Sequence, residues 1–277
     1  MIIADSQVHI WSANTAERPW PQGLTSHRGV PFGADDLLRE MNAAGVDRTV
    51  IVPSELEAFR NDLALLAART HPARFRVMGR FDVDAPGVRD KIKDWCAEPG
   101  MVGMRFAFHT PLLQPILTEG RMNWLWAAAA EAAIPLMVLV PHSLLGIIGD
   151  VAVRHPTLKV ALDHLGLSSS KRDEEAFRDL DELLKLGRYP NIAVKASGLP
   201  CYTTDKYPYR RLHSYMRKVY DAFGPKRIFW GSNLTRLPCP YRHAITMFTE
   251  EMPWLTSEDI EWIMGQALCE WLGWPID

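Results

Sequence analysis

The chain has 277 residues, 47% of them hydrophobic and 23% charged, with no Gly/Ser-rich or single-residue run, which is the composition of an ordered globular protein rather than a disordered one. Its 31 Lys and Arg against 33 Asp and Glu leave a formal net charge of −2, so no summed field draws it onto nucleic acid or an anionic membrane, and a small-molecule substrate is expected. Cys96, Cys201, Cys239 and Cys269 show no C-x-x-C spacing, the N-terminus lacks a signal-like pattern, and no apolar run approaches the ~18 residues of a membrane span, so a cytoplasmic protein is expected.

Short apolar runs alternate with amphipathic stretches along the chain, the pattern of parallel βα units buried on both faces. In chain order the predicted strands are Ile2–Asp5, Arg48–Pro53, Arg76–Asp82, Met101–Phe108, Leu136–Pro141, Leu158–Asp163, Asn191–Ser197 and Arg227–Ser232. Between them the predicted helices are Asp35–Ala44, Leu56–Thr70, Val88–Glu98, Trp124–Ala133, Leu144–His155, Glu174–Leu186 and Tyr209–Phe223. Gly45 and Gly224 fall where a helix ends just before a strand. The stretches Trp11–Gly33 and Pro200–Pro208 are too long for minimal connections and are expected to wall a pocket. A doubly wound sheet often carries a Gly-rich loop after its first strand, but this chain reads Asp-Ser-Gln-Val-His there. The expected fold is therefore a (β/α)8 TIM barrel, one domain over residues 1–277. Additional C-terminal helices are predicted at Tyr241–Glu251 and Ser257–Leu272; they are expected to pack on the barrel exterior, with exposed tryptophans in the last one available for a homodimer contact.

Polar residues accumulate where the strands end: Asp5, Gln7 and His9; Arg80 and Asp82; Arg105 and His109; His142; Asp163 and His164; Lys195 and Ser197; Asn233. In a parallel barrel these ends converge on one mouth, where active sites of this architecture are built. Arg105, helped by Arg80 or Arg236, offers a planar fork for a substrate carboxylate, and Lys195 is a third candidate for anion binding. An ion pair with Asp82 is the structural alternative for Arg80. His164 is suited to proton transfer near neutral pH, and Asp163 to fixing its tautomer. His142 is expected to face the pocket, whereas His71 and His155 precede prolines at helix ends and His27, His213 and His243 carry no motif. Trp11, Trp20, Phe106, Phe108, Tyr202 and Tyr207 are candidates for an aromatic wall, although core packing is the commoner fate of any one of them. No Gly-x-Ser-x-Gly elbow occurs, so no acyl-enzyme is expected.

The segments DSQVHIW (Asp5–Trp11), VGMRF (Val102–Phe106), ALDHLG (Ala161–Gly166) and IFWGSN (Ile228–Asn233), taken in order over nearly the whole chain, resemble the barrel-strand signatures of the amidohydrolase-related family. Within it the chain is most similar to the branch of dicarboxylate and sugar-acid lactonases, with aromatic-acid decarboxylases as more distant relatives. The resemblance implies hydrolysis of a small cyclic ester, or a related cyclic amide, that bears a carboxylate. Two departures matter. The family's His-x-His at the first strand is Gln7-Val8-His9 here, which removes a metal ligand, because an amide oxygen is a poor substitute for imidazole. Metal-independent chemistry with no cofactor is expected, His9 polarising the substrate carbonyl with Gln7 as a second donor; if a divalent metal such as zinc were bound, His9 and His164 would be its remaining ligands. The family's eighth strand ends in an aspartate that activates water, whereas this chain has Asn233, and an amide does not accept that proton. Three explanations stay open: an Asp-to-Asn substitution made to trap a substrate complex, a base moved to His164 or Asp82, or a catalytically silent binding homologue. A decarboxylase of the same superfamily is the alternative reaction.

Overall fold

The structure, a computed structural model, describes residues 1–276. Eight strands follow one another in a single parallel sheet in chain order: β1 (Ala4–Val8), β2 (Arg48–Ile51), β3 (Phe75–Arg80), β4 (Met101–Ala107), β5 (Leu136–Leu139), β6 (Val160–Leu162), β7 (Ile192–Ser197) and β8 (Ile228–Gly231). The sheet curls until β8 lies beside β1, where the Asn233 N–H donates to the Gln7 carbonyl at 2.9 Å. This is the (β/α)8 barrel that the alternating pattern predicts.

Strand parity divides the side chains between two cores. Val50, Met78, Met137, Ala161, Ala193 and Phe229 pack together inside the barrel, while Ile51, Val77, Met104, Val138, Leu162 and Val194 face the surrounding helices. Two residues further along the inward-facing register come Arg80, Asp163 and Lys195, and Arg105 stands beside Arg80 as its register partner. The period of two thus carries the polar side chains to the mouth.

Several predicted elements differ in detail. The first strand is Ala4–Val8 rather than Ile2–Asp5, because a register irregularity between Asp5 and Val8 lets it continue through Gln7. The predicted helix Val88–Glu98 is two 3-10 turns, Val88–Lys91 and Trp95–Ala97. Its helical spacing is real but serves only to bury Val88 and Ile92, while the Trp95 indole donates to the Gly103 carbonyl at 3.0 Å. Leu56–Thr70 breaks at Ala58, which has φ 50°, leaving a helix at Asp62–Thr70. Glu174–Leu186 divides into Asp173–Phe177 and Leu180–Leu184.

The C-terminal segment Ser257–Leu272 is helical with a π turn at Trp262–Gln266, and it opens on a Thr256 capping box. It closes the barrel floor rather than lying on its exterior. Ala267 and Leu268 join the interior cluster, and Trp271 packs edge-on against Phe229 at 5.6 Å between ring centres. Its tryptophans are less exposed than expected: Trp262 and Trp271 are partly buried against that cluster, and the following Trp274 is buried.

Candidate active site

A cavity of about 680 Å³ opens at the C-terminal ends of the strands. Its wall brings together His9, Arg105, His164, Asn233, Tyr202 and Arg236, residues up to 227 positions apart in the sequence, along with Trp11. It also contains His27, His109 and Glu55, and Glu55 is the one carboxylate among its described lining residues. The sequence offers no motif for His27 or Glu55: each sits in a loop whose return to the mouth depends on tertiary contacts. The His27 Nδ1 meets the Thr235 hydroxyl at 3.2 Å, and the Trp11 indole donates to the Val30 carbonyl at 2.9 Å. The loop is further tied down by Ser12 and Arg18, both bound to the buried Glu57.

Below the cavity lies a buried charge cluster. Asp163 pairs with Lys195 at 2.9 Å and with the Arg105 Nε at 3.0 Å, and all three side chains are nearly or fully inaccessible. Burial by itself would raise the Asp163 carboxyl, but the two cations hold it well below the usual carboxylate range. Burial draws the Lys195 ammonium down while Asp163 opposes it. With one anion between two cations the cluster keeps a net positive charge under the pocket.

Lys195 also donates to the Gln7 Oε1, which sets the Gln7 amide with its Nε2 toward the His9 Nε2 at 3.1 Å. The His9 Nδ1 faces the Val52 carbonyl at 2.8 Å, and a carbonyl only accepts, so Nδ1 carries the proton. The unprotonated Nε2 then accepts from Gln7. Burial, followed by the Arg105 charge, pushes the His9 pKa well below its ordinary value. Neutral His9 therefore has no N–H left for a substrate carbonyl, which corrects the role expected for it; Gln7 is fully buried beneath the wall, and the Arg105 Nη groups are the donors that remain.

His164 occupies a strained loop in which His164 (φ 53°), Leu165 (φ 53°) and Gly166 (φ 70°) are all left-handed. Such a conformation costs roughly 1–2 kcal/mol per non-glycine residue, and its occurrence in a cavity wall marks a constrained functional segment. Three polar contacts hold it. The His164 Nδ1 meets the Ser197 carbonyl at 3.1 Å and its hydroxyl at 2.8 Å, and the His142 Nε2 donates to the Leu165 carbonyl at 2.8 Å. The carbonyl only accepts, so Nδ1 carries the proton with the Ser197 hydroxyl oxygen as a second acceptor, and Nε2 keeps the free lone pair. Burial lowers the His164 pKa to about 4, so the ring is neutral near pH 7.

Asn233 is also left-handed (φ 51°), a conformation Asn and Asp tolerate better than most residues. The buried Asp5 sets its place by accepting from the Gln7 and Ser232 amides, each at 2.9 Å, and from the Ser232 and Tyr241 hydroxyls. Burial raises the Asp5 carboxyl despite these bonds. A β-carbon at Gly198 (φ +64°) would stand 3.0 Å from that of Asn233. Gly198→Ala is therefore expected to displace the Asn233 side chain and lower turnover by on the order of tenfold or more, with a stability loss of only roughly 1–2 kcal/mol; steady-state kinetics beside thermal melts check this.

Other predicted site residues lie elsewhere. Phe106 is on the outer face of β4, stacked on Phe108 at 6.2 Å, because it is one residue out of phase with inward-facing Arg105. His142 braces the His164 loop from behind and does not line the cavity. Lys195 is beneath the pocket rather than in it. Arg80 does not line the cavity and makes no ion pair with Asp82 among the described residues; it lies over the Phe59 ring at 5.7 Å, its pKa lowered to about 10 by burial. Asp82 accepts from the Asp84 amide at 3.1 Å and is absent from the described wall, which removes it as a candidate base. Trp20 donates to the Ser12 carbonyl and Tyr207 to Thr246, both away from the wall.

The donor set does not fit a catalytic metal. Among the described residues no three His, Cys, Asp or Glu side chains converge as ligands. The Asp163 carboxylate is engaged by Lys195 and Arg105, the His9 Nε2 by Gln7, and position 233 offers an amide.

Residues 4–276 match the family model described as Amidohydrolase. An L-fucono-1,5-lactonase of Burkholderia ambifaria is 27% identical over 241 residues, covering 83% of this chain and 79% of that protein. An amidohydrolase from Burkholderia multivorans, crystallised with bound zinc, superposes with a TM-score of 0.82 at 20% identity, covering 99% of this chain and 100% of that one. A 2,6-dihydroxybenzoate decarboxylase from Rhizobium shares the fold at a TM-score of 0.66 and 13% identity, over 98% of each chain.

Proposed function

We propose, from the premise that this chain belongs to the amidohydrolase family, that it is a hydrolase opening a small carboxylated lactone with water, in the cytoplasm and without a metal. The observation that carries this is a neutral His164 with a free Nε2 in the same wall as the Arg105 guanidinium. Arg105 anchors the substrate carboxylate, with Arg236 at the rim. The His164 Nε2 takes a proton from water as the water oxygen bonds to the lactone carbonyl carbon and the carbonyl electron pair moves onto oxygen. The positive Lys195–Asp163–Arg105 cluster stabilises that oxyanion. Collapse breaks the ring C–O bond, and the departing alkoxide takes the proton back from His164, leaving a hydroxy acid.

The similarity to an L-fucono-1,5-lactonase favours lactone opening over decarboxylation of an aromatic acid, since the decarboxylase likeness is one of fold alone. The test is a pH-stat panel of carboxylated and sugar-acid lactones, with carbon dioxide release from aromatic acids run in parallel. Turnover of at least one lactone is expected. Carbon dioxide release alone would turn the reading to a decarboxylase, and saturable ligand binding without turnover to a catalytically silent homologue.

A further inference from the structure

The Asn233 side chain is 5% exposed, lines the cavity, and has a buried Oδ1 without a hydrogen-bond partner. A buried acceptor left unpaired costs free energy unless a ligand or water fills it. Four observations say that the position is built rather than slack. The backbone is left-handed, the N–H is spent on Gln7, the preceding Ser232 is held by Asp5, and Gly198 leaves room for the Asn233 β-carbon. The proposed base lines the same cavity. Gly198 follows Ser197, whose carbonyl and hydroxyl hold the His164 Nδ1, so His164 and Asn233 both pack against the Ser197–Gly198 corner at the end of β7.

Resting on the hydrolase reading above, we propose that Asn233 is a catalytic residue that holds the attacking water: its Oδ1 accepts one water hydrogen while the His164 Nε2 accepts the other. The water lone pair is thereby turned toward the substrate carbonyl. The amide does no proton transfer; the proton goes to His164 and returns to the leaving alkoxide, so the step balances without a carboxylate at position 233. In this chain the position acts in orientation, and basicity resides at His164 in the loop after β6.

Two measurements on the full-length protein test this. A high-resolution crystal structure is expected to show an ordered water within hydrogen-bond distance of both Asn233 Oδ1 and His164 Nε2; a refined site with no such water overturns the proposal. In kinetics on the best lactone of the panel, Asn233→Ala is expected to lower kcat about 10²-fold with little change in KM, and Asn233→Asp, which keeps the acceptor, to stay within about tenfold of the parent. An unchanged Asn233→Ala, or an Asn233→Asp that gains 10²-fold or more, overturns it, the latter by showing that position 233 calls for a base. If no variant opens any lactone, the hydrolase reading fails while the bridging water still decides the assignment of Asn233.

Discussion

Replacing His164 with Gln is expected to lower kcat for lactone opening by roughly 10²–10⁴-fold, the range over which a positioned base contributes, with KM changed by no more than about threefold. The amide occupies similar space but accepts no proton. Burial lowers the His164 pKa most, helped by Lys195 and Arg105, and together they outweigh Asp163 and the Ser197 hydrogen bond, which raise it, leaving the pKa at about 4. The sign for activity follows. The ring is a competent base only when neutral, so kcat/KM of the parent rises as pH increases through about 4 and is level above it. For stability, the folded pKa lies below the ordinary histidine value, so the unfolded chain binds more protons between about pH 4 and ~6.5 and this contribution falls away on acidification through that window. His27, also lowered to about 4 mainly by burial, acts in the same direction. A His164→Gln protein that keeps more than a tenth of parental kcat would remove His164 as the base.

Asp163→Asn is expected to destabilise the fold by roughly 3–5 kcal/mol, the cost of leaving buried charges without their partner, seen as a fall in Tm on the order of 10 °C for a chain of this size. Lys195 and Arg105 would then be two buried cations facing an amide. Because the Asp163 carboxyl is held far below its unfolded value, its contribution is complete above ~pH 4 and is lost as pH falls below that, so the gap between parent and variant is widest near neutrality. Adding Lys195→Met to Asp163→Asn removes one uncompensated charge and is expected to recover part of the loss, a coupling that only groups in contact show. Melting of Asp163→Asn within about 2 °C of the parent would mean that water or relaxation already screens the cluster.

What the sequence determined by itself is the barrel and the ring of polar strand ends. Both follow from local periodicity: apolar runs repeating between amphipathic stretches leave few ways to bury both faces, and a parallel barrel sends all strand C-termini to one side. Hence Arg105, His164 and Asn233 were legible as residues of the barrel mouth, where the structure lines the cavity with them. Only the tertiary structure decided which way each neighbour points and which nitrogen carries a proton. Phe106 differs from Arg105 by one step, and the pleat sends one to the helices and the other to the pocket. His9 lost its expected role as donor because the Val52 carbonyl, 43 residues away, holds its Nδ1 while Gln7 occupies Nε2. Glu55 and His27 entered the cavity through loops that carry no periodic signal. A repeating pattern encodes the face of an element, whereas hydrogen-bond partners and loop positions are set by residues distant in the chain that meet only when the barrel closes.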